Sequence, residues 1–172
     1  MAFVRSGRDA VRQGFARVVN RLRASASLPA AEHPRSGRTL PDFAGVPALE
    51  YAPYDDGRPD PGEIVWTWVA YEDDPQRGKD RPVLVVGRQE STLLAVMLSS
   101  QDHDRDADDE ARWGRYWVDV GAGAWDPEHR PSEARVDRIL QIDPAKVRRE
   151  GATLDRSRFD AVAAAVRKHA AG

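Results

Sequence analysis

The stretch GKDRPVLVVGRQESTLLAVMLSSQ, residues 78–101, carries two apolar runs, 83–86 and 93–98, divided by a connection of hairpin length at 87–91. Runs of Val and Leu this short, bounded by Gly, Ser and charged residues, read as strands paired in a β-hairpin. Working outward, three further runs have the same texture: 64–69 before the hairpin, then 116–120 and 135–142 after it. No long helical segment intervenes between the first strand and the last, which excludes a parallel sheet built from crossover helices. The expected fold is mainly β (α+β), a small antiparallel barrel. At 155–169, Phe159, Val162 and Val166 make an apolar helical stripe, and Arg167, Lys168 and His169 stand at the end that favours cations. This closing helix is expected to plug or flank the barrel.

Upstream the texture changes twice. In residues 1–23, Val4, Val11, Phe15, Val18 and Leu22 line one helical face among Arg5, Arg8, Arg12, Arg17, Arg21 and Arg23, the pattern of a basic amphipathic helix. A membrane-surface anchor, a targeting presequence, a partner helix and a helix resting loosely on the domain all fit that pattern. Arginines interrupt every apolar stretch, which argues against a secretory signal. Residues 24–60 hold Pro29, Pro34, Pro41, Pro47, Pro53 and Pro59 with no lasting period, and read as a linker, extended or disordered. The expected organisation is therefore a helix at 1–23, a Pro-rich linker at 24–60 and a barrel domain at 61–172.

Composition narrows the chemistry. The 172 residues are too few for two full domains of about 100 to 150 residues each. With 41% hydrophobic and 31% charged residues and no apolar run of spanning length, the chain is expected in the cytosol. The absence of cysteine excludes disulfides, thiolate zinc sites and cysteine nucleophiles. Of 26 basic residues only three are lysine, and the formal charge is -2. The acidic run 102–110 has the alternating carboxylates of a calcium loop. Ala107 and Trp113, however, stand where such a loop needs Gly and a bidentate Glu, so a solvated loop is expected and no metal. Gly121 and Gly123 form a GxG without a following helix, the histidines lack metal spacing, and no serine sits in a nucleophile elbow.

The candidate chemistry lies at strand ends: Lys79, Asp80 and Arg81 entering the second strand, Ser99, Ser100 and Gln101 leaving the third, and Arg135 with Asp137 two apart on the fifth. Guanidinium forks, a hydroxyl and a carboxylate together suit a phosphodiester. An ordinary surface ion pair between Arg135 and Asp137 fits those residues as well.

The ordered set PGEIVW (61–66), GKDRPVLVV (78–86), VMLSSQ (96–101) and RVDRILQID (135–143) resembles the PemK/MazF family of toxins from bacterial toxin-antitoxin pairs, over 61–170. The resemblance implies an SH3-like barrel of the PemK/MazF/CcdB type with accessory helices. It also implies a homodimer and a cofactor-free, metal-independent endoribonuclease that cleaves single-stranded RNA through the ribose 2′-OH until a cognate antitoxin covers its groove. Arg81 falls on the arginine of the family's RP motif, Ser99 on the hydroxyl residue after the third strand, and Arg135 and Asp137 on an RxD pair. The implied roles are Asp137 as base, Arg135 at the departing 5′ oxygen, and Arg81 with Ser99 on the phosphorane charge, with Lys79, Ser100 and Gln101 contacting RNA. Pro61 replaces an arginine of the family pattern, and Pro75 a histidine. A non-catalytic module binding nucleic acid or protein through the same face, and a CcdB-like gyrase poison, are the alternatives.

Overall fold

Residues 37–172 form one compact unit, of which the computed structural model describes residues 39–101 and 107–169. The amphipathic helix expected at 1–23, the first part of the linker and the acidic residues Asp102, Asp104 and Asp106 lie outside the described residues.

The hairpin is present as β2 (Gly78–Gln89) and β3 (Thr92–Ser99), antiparallel, with Leu84 opposite Val96. Its turn is tighter than the 87–91 connection expected: only Glu90 and Ser91 separate the strands, with Glu90 in the left-handed region at φ 52°. The register slips between Val85 and Gly87, which leaves Val86 as a bulge. β1 (Glu63–Ala70) pairs with β2, and β7 (Arg149–Thr153) with the other edge of β1. The far edge of β3 is shared by two short strands. β6 (Leu140–Ile142) takes its first half and β5 (Ser132–Arg135) its end, and β5 in turn pairs with β4 (Trp117–Gly121). The order β4-β5-β3-β2-β1-β7, antiparallel throughout, is a curved, partly open barrel, and α2 (Arg156–His169) closes the chain.

Alternation alone does not describe the central strands, because both faces are buried. Ile64, Leu84, Val86, Leu94, Val96 and Leu98 pack with Phe159, Val162 and Val166 of α2. The intervening Val65, Val83, Val85, Leu93, Ala95 and Met97 face the other way, onto Leu140 and Ile142. Two buried faces are what continuous apolar runs such as PVLVV and LLAVML require, since side chains alternate along a strand.

Three expectations are corrected. The strand expected at 135–142 is two strands, because the chain leaves β5 after Arg135 and re-enters the sheet at Leu140. β7 was not expected at all. The acidic loop contains a short helix, α1 (Ala107–Arg112). The described part of the segment 24–60, residues 39–60, runs along the barrel as an extended strap. The Phe43 N–H donates to the Ile139 carbonyl at 2.8 Å and the Glu50 N–H to that of Val86 at 3.0 Å, and Leu49 bridges Gly87. The Tyr51 hydroxyl donates to the Leu154 carbonyl at 2.8 Å, with its ring 5.0 Å from that of Phe159. The bulge at Val86 accounts for this docking, since a strand that bends outward presents carbonyls to a new partner. Among the described residues, no helix is long and apolar enough to cross a membrane.

Candidate active site

A cleft of about 730 Å³ opens where β2 begins and where β3 and β5 end. Lys79 and Arg81 lie two apart on β2 and so share a face. Ser99 ends β3 opposite Glu133 of β5, and Ser100 and Gln101 continue from it, with the Gln101 N–H donating to Ser99 Oγ at 3.2 Å. Arg135 ends β5 in register with Trp117 of β4. These six candidate residues line the cleft together.

Asp137 does not. It sits in the turn after β5, where its Oδ1 accepts the Tyr116 N–H at 2.7 Å while both of its oxygens accept from Arg135 at 2.8–3.2 Å. The expectation that Arg135 and Asp137 share the face of one strand is therefore corrected: the turn at Val136 and Asp137 folds the carboxylate back onto the guanidinium. Arg135 also donates Nη1 and Nη2 to Glu72 Oε2 and Oε1, at 2.7 and 3.0 Å. The arginine side chain is 8% exposed, Asp137 11% and Glu72 44%. Burial works against the charge on Arg135, but the two carboxylates outweigh it and hold its pKa above the ordinary arginine value. Arg135 is in consequence a fixed positive charge and no proton donor.

Sequence reasoning missed Glu72. Its place is set by the loop between β1 and β2, which closes on itself through the Tyr71 N–H to the Arg77 carbonyl and the Arg77 N–H to that of Asp74, both 2.9 Å. The run EDD at 72–74 reads as a solvated loop, and the partner of Glu72 lies 63 residues along the chain, so no local signal marks it. Hydrogen bonds from Arg135 hold the Glu72 carboxyl below its usual range against the opposing effect of burial, and the charges of Arg135, Arg138 and Arg115 act in the same direction.

The other charged pairs of the cleft are internally balanced: Arg130 with Asp126 at 2.7 Å, Arg115 with Glu110 at 3.7 Å, and Asp80 with Arg148 at 2.9 Å. Arg81 is different. It is half-buried, burial pushes its pKa down, the nearby Arg138 adds to that, and no carboxylate pairs with it among the described residues. The Arg81 charge in turn lowers the pKa of Lys79, with burial a second cause. Lys79, depressed by Arg81, and Arg81, depressed by burial and by Arg138, together form a site at the mouth of the cleft that gains from an anion. Among the described residues, no group of three or more His, Asp or Glu side chains is placed to hold a metal ion.

Residues 60–170 match the family described as PemK-like, MazF-like toxin of type II toxin-antitoxin system. Among solved structures, the Mycobacterium tuberculosis toxin MazF-mt6 is 18% identical, with 62% of this chain and 94% of that chain covered at a TM-score of 0.42. The MazE-MazF structure (Form-II) from Deinococcus radiodurans is 17% identical, with 64% and 94% covered and a TM-score of 0.45. A search of curated proteins gave no significant match.

Proposed function

Since this chain belongs to the PemK-like, MazF-like family of toxins of type II toxin-antitoxin systems, we propose that it is an endoribonuclease that cuts single-stranded RNA by attack of a ribose 2′-OH on the adjacent phosphodiester, without a metal or cofactor. The observation that carries this reading is Arg81, a half-buried guanidinium in a cleft with no carboxylate partner among the described residues. A phosphate supplies the missing charge, and Arg presents a planar fork that matches it.

In this reading Arg81 and Lys79 neutralise the incoming phosphate, and the hydroxyl of Ser99 with the chain at Ser100 and Gln101 flanks it. Arg135 stabilises the charge that builds on the pentacovalent phosphorus. Its raised pKa assigns it that electrostatic part and not proton delivery. Asp137 acts through Arg135, as a positioning residue whose oxygens are committed to the guanidinium and to Tyr116. The family relationship supports a homodimer acting in the cytoplasm on mRNA, and a cognate antitoxin that inhibits by covering the cleft.

The test is product chemistry. Purified protein incubated with single-stranded RNA is expected to leave a 2′,3′-cyclic phosphate and a 5′-OH, at a rate unchanged by EDTA. Cleavage that requires added Mg²⁺, or fragments with a 5′-phosphate, would rule the mechanism out. Expression in a bacterial host separates the alternatives: growth arrest with fragmented mRNA supports the nuclease, arrest with DNA breaks a gyrase poison, and unimpaired growth a binding module.

A further inference from the structure

Arg135 grips two carboxylates, and only one can be reached from the cleft. Asp137 is held from behind, on the Nε side, and pinned by the Tyr116 N–H. Glu72 occupies the outer edge, the Nη1 and Nη2 fork, which is the edge a phosphate would take with two parallel hydrogen bonds. Two anions cannot hold one fork. Glu72 is also the carboxylate built to move, because its side chain is 44% exposed and hangs from a loop, while that of Asp137 is 11% exposed.

Resting on the ribonuclease reading above, we propose that a substrate phosphodiester displaces Glu72 from the outer fork of Arg135, and that the released Glu72 carboxylate is the general base that deprotonates the attacking 2′-OH. The exchange is balanced in charge, since Arg135 passes from one anion to another and is never left buried with Asp137 alone to compensate it. It also times the chemistry. While Arg135 holds Glu72, the carboxylate is a weak base. Once the phosphate takes over that guanidinium, the largest cause of the depression, the hydrogen bonds from Arg135, is removed, and basicity rises as substrate arrives. The carboxylate then lies beside the phosphate that replaced it, within reach of the 2′ oxygen one bond from the adjoining ribose carbon. Glu72 takes the 2′ proton, the O2′–P bond forms, and the P–O5′ bond breaks with its electron pair leaving on O5′. O5′ takes a proton from water, and Glu72 returns its own to solvent. The products are the cyclic phosphate and the 5′-OH, with no oxidant, reductant or further reactant.

The experiment pairs Glu72→Gln with Asp137→Asn and reads binding and cleavage separately. Binding uses an RNA oligonucleotide with a 2′-deoxy nucleotide at the cut site, which cannot react. Cleavage uses the unmodified oligonucleotide at saturation. Glu72→Gln is expected to bind the inert oligonucleotide at least as tightly as wild type, because the amide competes less well for Arg135, and to cut at least a hundredfold more slowly. Glu72→Asp, which keeps a carboxylate, is expected to restore part of the rate. Asp137→Asn is expected to lose affinity and rate together. Thermal melting confirms that each variant folds, and Glu72→Asp carries the test if Glu72→Gln does not. Cutting by Glu72→Gln at the wild-type rate overturns the base role, and tenfold weaker binding by Glu72→Gln overturns the displacement. A wild type that binds the inert oligonucleotide but never cuts RNA overturns the ribonuclease reading itself, a result distinct from either.

Discussion

At the scale of single residues, Arg81 is the position where folding and function oppose each other. Arg81→Ala removes a half-buried cation with no acidic partner among the described residues, so the melting temperature is expected to hold or rise while cleavage falls about a hundredfold, roughly 3 kcal/mol by analogy with the loss of one oxyanion donor. Steady-state kinetics beside a thermal melt decides; a fall in both would make Arg81 a structural residue. Glu72 gives a pH signature. Its folded pKa is depressed, so the stability it contributes is present above the ordinary carboxylate range and is lost as pH falls through the lower folded value. Solvent screening keeps that contribution small, because Glu72 is partly exposed. Glu72→Gln should flatten the acid side of a stability profile measured by urea unfolding between about pH 6 and 3. Arg81, Ser99 and Arg135 were legible in the sequence because polar residues at the ends of apolar strands converge at one end of a barrel. Asp137 was misplaced because a two-residue spacing puts side chains on one face only while the strand continues, and here it stops at Arg135. Glu72 was hidden because its meaning depends on a partner distant in the chain.

Among the elements, the strap 39–60 and the bulge of β2 depend on each other. A Cβ at Gly87 would lie 2.1 Å from the Ala48 carbonyl oxygen, a backbone atom that can yield only if the strap moves. Gly87→Ala is therefore expected to shift the strap and cost about 1–3 kcal/mol, the range for overpacking a close contact. Hydrogen exchange should show the Glu50 amide losing protection while the β2–β3 amides keep theirs; an unchanged Glu50 amide would count against the pairing. Tyr51→Phe keeps the ring against Phe159 and removes only the bond to the Leu154 carbonyl, for about 1 kcal/mol in the same melt. The hairpin and α2 were readable because each has a strong local pattern, β-branched runs in one and a 3.6-residue stripe in the other. The strap had none. Its prolines are tolerated because it lies along the sheet as an irregular edge, where missing amides cost little, and its order comes from the barrel it lies on.

For the whole molecule, residues 39–60 are hydrogen-bonded to the barrel and fall within the compact unit 37–172, and we propose that the folding domain includes them. A chain starting at residue 39 is expected to melt with the cooperativity of the full protein. One starting at residue 61 loses Phe43, Leu49 and Tyr51, each partly buried against the helix-side core, and should melt lower or without cooperativity, since each side chain contributes a part of the ~1.5–3 kcal/mol that full burial gives. Circular dichroism of the two truncations decides where the domain starts. The same architecture sets an order of assembly. The β2–β3 hairpin closes across two residues, whereas β7 must return to β1, and Tyr51 waits for a carbonyl 103 residues further on. Loop closure over such spans is slow relative to a local turn, so this seam is the last part of the sheet to form. On a ribosome the strap emerges ahead of the barrel, and Tyr51 meets its carbonyl partner only when nearly all of the chain has been made.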